Sequence, residues 1–268
     1  MSLHIVVCVK STPTTVNVSI DESAGKIKTA GLSYAMNPFD EYAVEEAIRI
    51  KEKNPGSTVT ALSLGPEHAE AALREAIARG CDKAVWLNIP ECDTHNSYGT
   101  SHALAQALKK IHAETPVHLV LFGKNASDGN AGVTAAQIAG WLNWPAAISV
   151  KKIDSINSAE AVVWRAVENG VDVLKLKLPA CVGTIKEINE PRLPSLKGKM
   201  ASKKAVIPKW TAQDIGLKAE DFSSTLEPLK IEKFSAPPPR PAGLKIEGSS
   251  AAEKAKKLVD ILIERKLV

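Results

Sequence analysis

The sequence predicts an α/β fold: a doubly wound, mostly parallel sheet followed by an extended C-terminal arm. Three observations carry this. Up to about residue 182, short runs rich in β-branched residues alternate with longer runs of helical period, the order that parallel sheets with crossover helices produce. The first strand candidate, His4 to Val9, is almost continuously apolar, as a strand covered on both faces requires. After about residue 183, Pro, Lys and Gly interrupt every apolar run. The boundaries are therefore an α/β domain over residues 1–182 and an arm over residues 183–268.

Each element has its own signal. Asp40 to Lys53 reads as a helix, because Ala43, Ala47, Ile48 and Ile50 form an apolar stripe opposite Glu41, Glu45, Glu46, Arg49 and Lys51. Asp40 is its expected N-cap and Phe39 its hydrophobic staple, and Asn54-Pro55-Gly56 stops it. Thr58 to Leu64 is the second strand, Glu67 to Arg79 a helix ended by Gly80, and Lys83 to Leu87 the third strand. Ser97 to His112 (helix), Val117 to Phe122 (strand) and Gly132 to Leu142 (helix) follow. Ala147 to Val150, Ala161 to Ala166 and Val171 to Leu178 are further strands, the last two joined by the hairpin turn Glu168-Asn169-Gly170. In the arm, Pro237 to Pro241 reads as polyproline. Ser249 to Lys266 reads as an amphipathic helix with Ala252, Ala255, Leu258, Val259, Leu262 and Ile263 on one face, suited to docking on its own domain or a partner.

Composition narrows the class. The chain has 268 residues with 34 Lys+Arg and 30 Asp+Glu, a net charge of +4 that argues against nucleic-acid binding. Hydrophobic residues make up 44% and aromatics 4%, so the core is aliphatic and disorder is excluded. The apolar run from Ile5 to Val9 is too short for a signal peptide, and no stretch approaches the roughly 20 apolar residues of a membrane span. A cytoplasmic location is expected. Cys8, Cys81, Cys92 and Cys181 lack C-x-x-C spacing, so isolated reduced thiols are expected, and the six His lack metal-ligand spacing.

Chemistry is sought in the loops after the strands, where doubly wound sheets bind ligands. Three such loops stand out: Cys8-Val9-Lys10-Ser11-Thr12-Pro13, Ser63-Leu64-Gly65-Pro66, and Gly123-Lys124-Asn125-Ala126-Ser127-Asp128-Gly129-Asn130-Ala131-Gly132-Val133-Thr134. The last is small, polar and glycine-rich and leads into a helix, a setting in which backbone N–H groups hold phosphate. It matches neither of the common phosphate-loop motifs, so an ordinary βα turn stands beside anion binding as a reading. A second candidate is Met36-Asn37-Pro38-Phe39-Asp40-Glu41, where Pro38 biases Asn37 to an extended backbone and leaves its amide to donate and accept. No nucleophile-plus-base arrangement is present, which suits a carrier whose cofactor performs the chemistry. The third candidate lies between Pro191 and Trp210, with six basic residues, Arg192, Lys197, Lys199, Lys203, Lys204 and Lys209, and no acidic one. A Leu-Lys-Gly-Lys-Met loop there, with Leu196 as anchor, fits docking to an acidic protein, and a solvated basic linker is the plainer reading.

At these residues the chain resembles the β subunit of electron transfer flavoprotein. The resemblance rests on Val9-Lys10, on Asn37-Pro38-Phe39-Asp40-Glu41 followed by Ala43-Val44-Glu45-Glu46-Ala47, on Gly123-Lys124 through Asp128 with Trp144-Pro145, and on Leu178-Pro179-Ala180 followed by Asn189-Glu190-Pro191-Arg192, Leu196 and Met200. It implies a Rossmann-like fold of the adenine-nucleotide α-hydrolase kind, and a heterodimer with an α subunit that shares an FAD. It also implies an adenine-nucleotide site in this chain, holding AMP or, in bifurcating members that oxidise NADH, a second FAD. The chain is then an electron carrier rather than a stand-alone enzyme, serving a flavin dehydrogenase of acyl-CoA dehydrogenase type. The implied nucleotide contacts fall on Val9, Asn37, Pro38, Phe39, Asp40, Leu64 and the loop from Gly123 to Thr134. The implied docking loop spans about Gly183 to Lys204, with Arg192, Leu196, Lys197, Lys199 and Met200 as its partner-docking residues. In the nucleotide loop, Gly132 and Val133 stand where the AMP branch usually has Asn and Gln, with Thr134 retained, while Asp128-Gly129 match the bifurcating branch and Asn130 to Thr134 mostly do not. Backbone N–H groups exposed by small residues are the expected substitute for the lost side-chain donors.

Overall fold

The computed structural model describes residues 2–15, 17–222, 232–240 and 242–268. These fall into two compact units, Met1–Ser19 with Ile27–Glu232, and Ile20–Lys26 with Lys233–Val268. The larger unit contains, in order, β1 (His4–Cys8), α1 (Pro38–Lys53), β2 (Thr58–Leu64), α2 (Ala69–Arg79), β3 (Lys83–Leu87), α3 (Ser97–Glu114), β4 (Leu119–Phe122) and α4 (Thr134–Leu142). It continues with β5 (Ala146–Ile156), β6 (Glu160–Val167), β7 (Gly170–Lys177), β8 (Ala180–Thr184), α5 (Leu196–Lys204) and β9 (Lys209–Trp210). The strands form one sheet in the order β7-β6-β5-β8-β4-β1-β2-β3-β9. Every pairing from β5 across to β9 is parallel, and the two pairings of β6, with β5 and with β7, are antiparallel.

The continuous apolar run of β1 is explained by its position. Val6 lies in register with Thr60 on one side and Val120 on the other, so no edge of the strand meets water. Ile5 and Val7 join the core formed with α1 and α2, whereas Val6 and Cys8 join the core formed with α3 and α4. The sheet is thus wound on both faces, and Leu62, Leu119 and Leu121, all fully buried, contribute about 2 kcal/mol each to that burial.

Several expected boundaries move, each for a physical reason. Helix α1 starts at Pro38, where proline's missing N–H costs nothing, so Asn37 is the N-cap and Asp40 is the third helical residue. Helix α4 starts at Thr134 rather than Gly132, because Gly132 has φ +65°, outside the helical range. Strand β8 was not anticipated, because the Ala-Cys-Val-Gly-Thr run is short, follows Pro179 directly and contains a glycine, yet it is wholly buried between β5 and β4. The Leu-Lys-Gly-Lys-Met segment is a helix, α5, and not a loop, with Ser195 Oγ accepting the Gly198 N–H at 2.9 Å as its cap.

In the smaller unit, α6 (Ala251–Glu264) is capped by Ser250, whose Oγ accepts the Glu253 N–H at 3.2 Å. Leu258, Val259 and Ile263 of its apolar face are exposed. Residues 237–240 carry no helix or strand, and residue 241 of the expected polyproline stretch lies outside the described residues. No helix among the described residues is long and apolar enough to cross a membrane.

Gly198 is where α5 meets α2. A Cβ there would lie 2.9 Å from the Ala78 carbonyl carbon and closer still to its oxygen. Gly198→Ala is expected to cost about 1–3 kcal/mol by forcing the two helices apart, although alanine is the better helix former. Urea unfolding of the variant checks this, and a gain in stability would show that α5 is not held against α2.

Candidate functional site

After β1 the chain adds β2 and β3 on one side, then crosses to place β4 on the other side of β1. The strand-end loops diverge at that crossing, the position where open α/β sheets bind ligands. A cavity of about 460 Å³ lies there, within the range of small-molecule sites. Of the residues expected from sequence, Val9, Asn37, Asp40, Leu64, Gly123, Lys124, Asn125, Ala126, Gly129, Asn130, Ala131, Gly132 and Thr134 line it. Pro38, Phe39, Ser127, Asp128 and Val133 stand outside that lining.

Cys8 and Lys10 of the candidate loop after β1 also line the cavity, and Gly183, expected in the docking loop, does so too. The wall further includes residues not anticipated: Phe122 and Ala135 beside the expected ones, Thr94, His95, Ser97, Thr100 and Leu104 around the start of α3, and Ile148 and Ser149. The loop after β3 obeys the same strand-end rule that selected the other loops, so its position was a usable signal. Ile148 and Ser149 had none. They arrive through an irregularity in the β5–β8 pairing, where Ser149 takes φ +59°.

The glycine-rich loop is held from below by Asn37. This side chain is 1% exposed. Its Nδ2 donates to the Asn125 carbonyl at 2.8 Å, and its Oδ1 accepts the Ser127 N–H at 3.1 Å. Ser127 Oγ adds a hydrogen bond to Thr12 Oγ1 at 3.0 Å. Lys10 Nζ pairs with Asp128 at 2.8 Å, but a solvent-accessible pair contributes no more than about 1 kcal/mol, so the two buried amide bonds of Asn37 are the stronger restraint.

Asp40 fixes the same corner. Its Oδ2 accepts the Lys10 N–H at 2.7 Å. Burial pushes its carboxyl up to about 7, against the opposing pull of N–H groups of Lys10 and Gly123, the Asn37 side chain and the Lys10 charge. Gly123 is required by this approach, because a Cβ there would lie 2.6 Å from the Phe39 carbonyl carbon and closer still to Asp40 Oδ1. Burial likewise raises the Cys8 thiol well above its ordinary value, which makes it a poor nucleophile.

From this corner the loop runs to α4 with Asn130 at φ +51° and Gly132 at φ +65°. No side chain caps α4, so its first N–H groups remain available to an anion, with the positive end of the helix dipole behind them. Asn125 donates through Nδ2 to Asn130 Oδ1, while Asn125 Oδ1 is buried with no partner among the described residues. The donor set and the close backbone fit a phosphate-bearing ligand. Among the described residues no group of three or more His, Cys, Asp or Glu is placed to hold a metal ion.

The basic segment splits into two kinds of residue. Arg192 lies on α1, with Nε donating to Glu45 at 2.8 Å and Nη2 to Glu52 at 3.0 Å, contacts that hold its guanidinium charged. Arg79 Nη1 donates to the Arg192 carbonyl at 2.9 Å, and Asn189 Nδ2 to the Tyr42 carbonyl at 3.0 Å. Leu196 and Met200, four residues apart on α5, are 78% and 59% exposed, and Leu193 is 86% exposed. Lys197, Lys199, Lys203 and Lys204 surround them.

Fold and site together define a doubly wound α/β protein with a switch-point cavity closed by a glycine-rich loop. The family model described as electron transfer flavoprotein domain matches residues 24–215. The electron transfer flavoprotein subunit beta of Bacillus subtilis is 40% identical over 239 residues, 89% of each chain. The caffeyl-CoA reductase-Etf complex subunit CarD of Acetobacterium woodii is 34% identical over 266 residues, 99% of this chain and 100% of that one. The human electron transfer flavoprotein subunit beta is 33% identical over 232 residues, 87% of this chain and 88% of that one. The chain belongs to the electron transfer flavoprotein family, as a β subunit. Its activity is therefore electron transport with flavin involvement, and membership implies an α-subunit partner.

Two outcomes follow from the corner at Asn37 and Asp40. Asn37→Ala removes both buried hydrogen bonds to the loop, at about 1 kcal/mol each, so amide exchange across residues 123–132 should speed up by roughly tenfold or more, as hydrogen-exchange mass spectrometry would record. Asp40 has a folded pKa of about 7, above its unfolded range of about 4. Its contribution to stability is thus fully present below pH about 4 and lost as pH rises through about 7. In Asp40→Asn that slope disappears from urea midpoints measured across the window. A variant profile parallel to the parent would mean that the carboxyl stays ionised throughout.

Proposed function

We propose that the chain, paired with its α subunit, relays electrons from a flavin dehydrogenase of acyl-CoA dehydrogenase type to a downstream acceptor, with an adenine nucleotide in its own cavity. The observation that carries the nucleotide is the uncapped α4 and glycine-rich loop at the end of β4, which border a cavity of about 460 Å³. Val9, Asn37, Asp40, Leu64 and the loop from Gly123 to Thr134 would hold AMP or a second FAD, with backbone N–H groups from Gly129 to Thr134 toward the phosphate. Within that loop Ser127, Asp128 and Val133 lie outside the lining, as do Pro38 and Phe39, and Ser127 and Asp128 tie the loop to Thr12 and Lys10. The FAD shared with the α subunit supplies electron uptake and release, and the protein positions it and excludes water. In this reading the complex is cytoplasmic.

A bifurcating form, with a second FAD and NADH oxidation, is the alternative. The similarity to a caffeyl-CoA reductase-Etf subunit across the full length of both chains favours it. Co-expression with the α subunit tests both: one FAD per heterodimer supports the AMP form, two support bifurcation, and no flavin absorbance overturns electron transfer in favour of a non-redox nucleotide-binding module.

Docking of the dehydrogenase is assigned to α5, with Leu196 and Met200 as apolar anchors, Lys197 and Lys199 steering the encounter, and Arg192 holding the segment on α1. Leu196→Ala should raise the dehydrogenase concentration needed for half-maximal electron uptake roughly tenfold, as for loss of an interface anchor, with FAD content unchanged. Identical stopped-flow kinetics for parent and variant would remove α5 from the interface.

A further inference from the structure

The end of the sheet opposite the cavity gathers three of the chain's six histidines. His4 opens β1, His112 lies in the last turn of α3, and His118 immediately precedes β4. None of them lines the cavity. His4 and His118 meet across the central parallel pair of strands. The His118 N–H donates to the His4 carbonyl at 2.9 Å, as in any ladder. The return bond is different, because the His4 N–H donates to the His118 ring, at Nδ1, 3.0 Å away. An imidazole therefore accepts where a sheet ordinarily uses a carbonyl, and an imidazole is the acceptor that a proton removes near neutral pH. The arrangement recurs one residue earlier in the chain, where the Val117 N–H donates to His112 Nδ1 at 3.0 Å.

A backbone N–H can only donate, so both contacts need an Nδ1 that carries no hydrogen. The ring of His4 is not constrained in this way. It is buried, with Nδ1 facing the Thr115 carbonyl at 3.2 Å and Nε2 facing Thr60 Oγ1 at 2.9 Å. The carbonyl accepts from Nδ1 whether or not the ring is charged, and the threonine hydroxyl rotates to donate or to accept. His118 has no such freedom, since a proton on its Nδ1 sets one N–H against another.

The charges around this corner do not compensate. Lys83 of β3, His118 and His112 act on His4, and His112 acts on His118, all against a further positive charge. Asp82, just before β3, is committed to Lys51 at 2.9 Å and to the Val59 N–H at 2.8 Å, and Glu114 at the end of α3 is exposed. Burial is the largest influence on the His118 ring and holds it below its ordinary value, with His112 adding to the effect and the His4 backbone opposing it. A ring with a folded pKa below the unfolded value of about 6.5 contributes stability that is present above that pH and lost as pH falls through the folded value.

We propose that His118 is a pH-sensitive latch: its neutral imidazole completes the first rung between β1 and β4, and protonation at Nδ1 opens the amino-terminal ends of these strands while their ligand ends stay paired. The latch works by loss of one acceptor, so its reach is local. It acts on the two strands whose far ends carry the loop after β1 and the glycine-rich loop, yet at the other end of the sheet.

The test uses the complex with the α subunit in parent, His118→Asn and His118→Ala forms. Asparagine presents Oδ1 in the place of Nδ1 and does not titrate, and alanine presents no acceptor. Hydrogen exchange is measured at about pH 7.5 and about pH 5.5, on either side of the ordinary histidine value, and corrected for the chemical rate. On acidification the parent should open roughly five- to tenfold more at residues 2–8, as loss of one hydrogen bond predicts, with residues 119–122 unchanged. His118→Asn should show no such rise, and His118→Ala should be as open at the higher pH as the parent is at the lower. No rise in the parent, or an equal rise in parent and His118→Asn, would overturn the latch. A rise shared by residues 119–122 would overturn it in favour of global acid unfolding. Should His118→Ala fail to fold, the comparison of parent with His118→Asn decides alone.

Discussion

The end of β4 passes against the first turn of α1 at a distance that leaves no room for a side chain at residue 123. Much else depends on that contact. It brings the Asp40 carboxyl within reach of the backbone N–H groups that follow β1 and β4, and it seats Asn37 beneath the glycine-rich loop. The cavity owes its shape to these neutral, buried hydrogen bonds more than to the visible ion pair between Lys10 and Asp128, because burial strengthens the former and water screens the latter.

Much of this was legible in the sequence where one physical rule dominates. A strand buried on both faces has to be apolar throughout, so β1 and the parallel sheet could be read directly, and the strand-end rule then selected the loops after β1, β2 and β4. Asn37 was legible as an amide with donor and acceptor capacity, though its bonds are spent on Asn125 and Ser127. Elements failed where tertiary context overrides local pattern. Strand β8 is made of small residues because it is crowded between β5 and β4, and its burial comes from those neighbours and not from its own composition. Gly198 argued against a helix locally, yet it is the residue that lets α5 lie on α2. The wall at Ile148 and Ser149 depends on a register irregularity, which leaves no trace in residue type.

The opening net charge also resolves into parts. Residues 1–182 carry 17 basic and 19 acidic side chains, and residues 183–268 carry 17 and 11. The excess therefore sits after residue 182, in a segment fastened by two arginines that precede it and by one of its own. Arg74 donates to the Ser202 carbonyl at 2.5 Å, Arg79 to the Arg192 carbonyl, and Arg192 itself to Glu45 and Glu52. Planar guanidinium groups with several fixed donors are suited to such fastening.

That fastening leaves lysines to face outward from α5. A lysine at Lys197, Lys199, Lys203 or Lys204 can change without removing any of the arginine contacts that tie the segment down. The mounting of the helix and the character of its outer surface are thus encoded by different residues. Drift at a few exposed positions can therefore change the charge that α5 presents, while the arginines keep the scaffold beneath it unchanged.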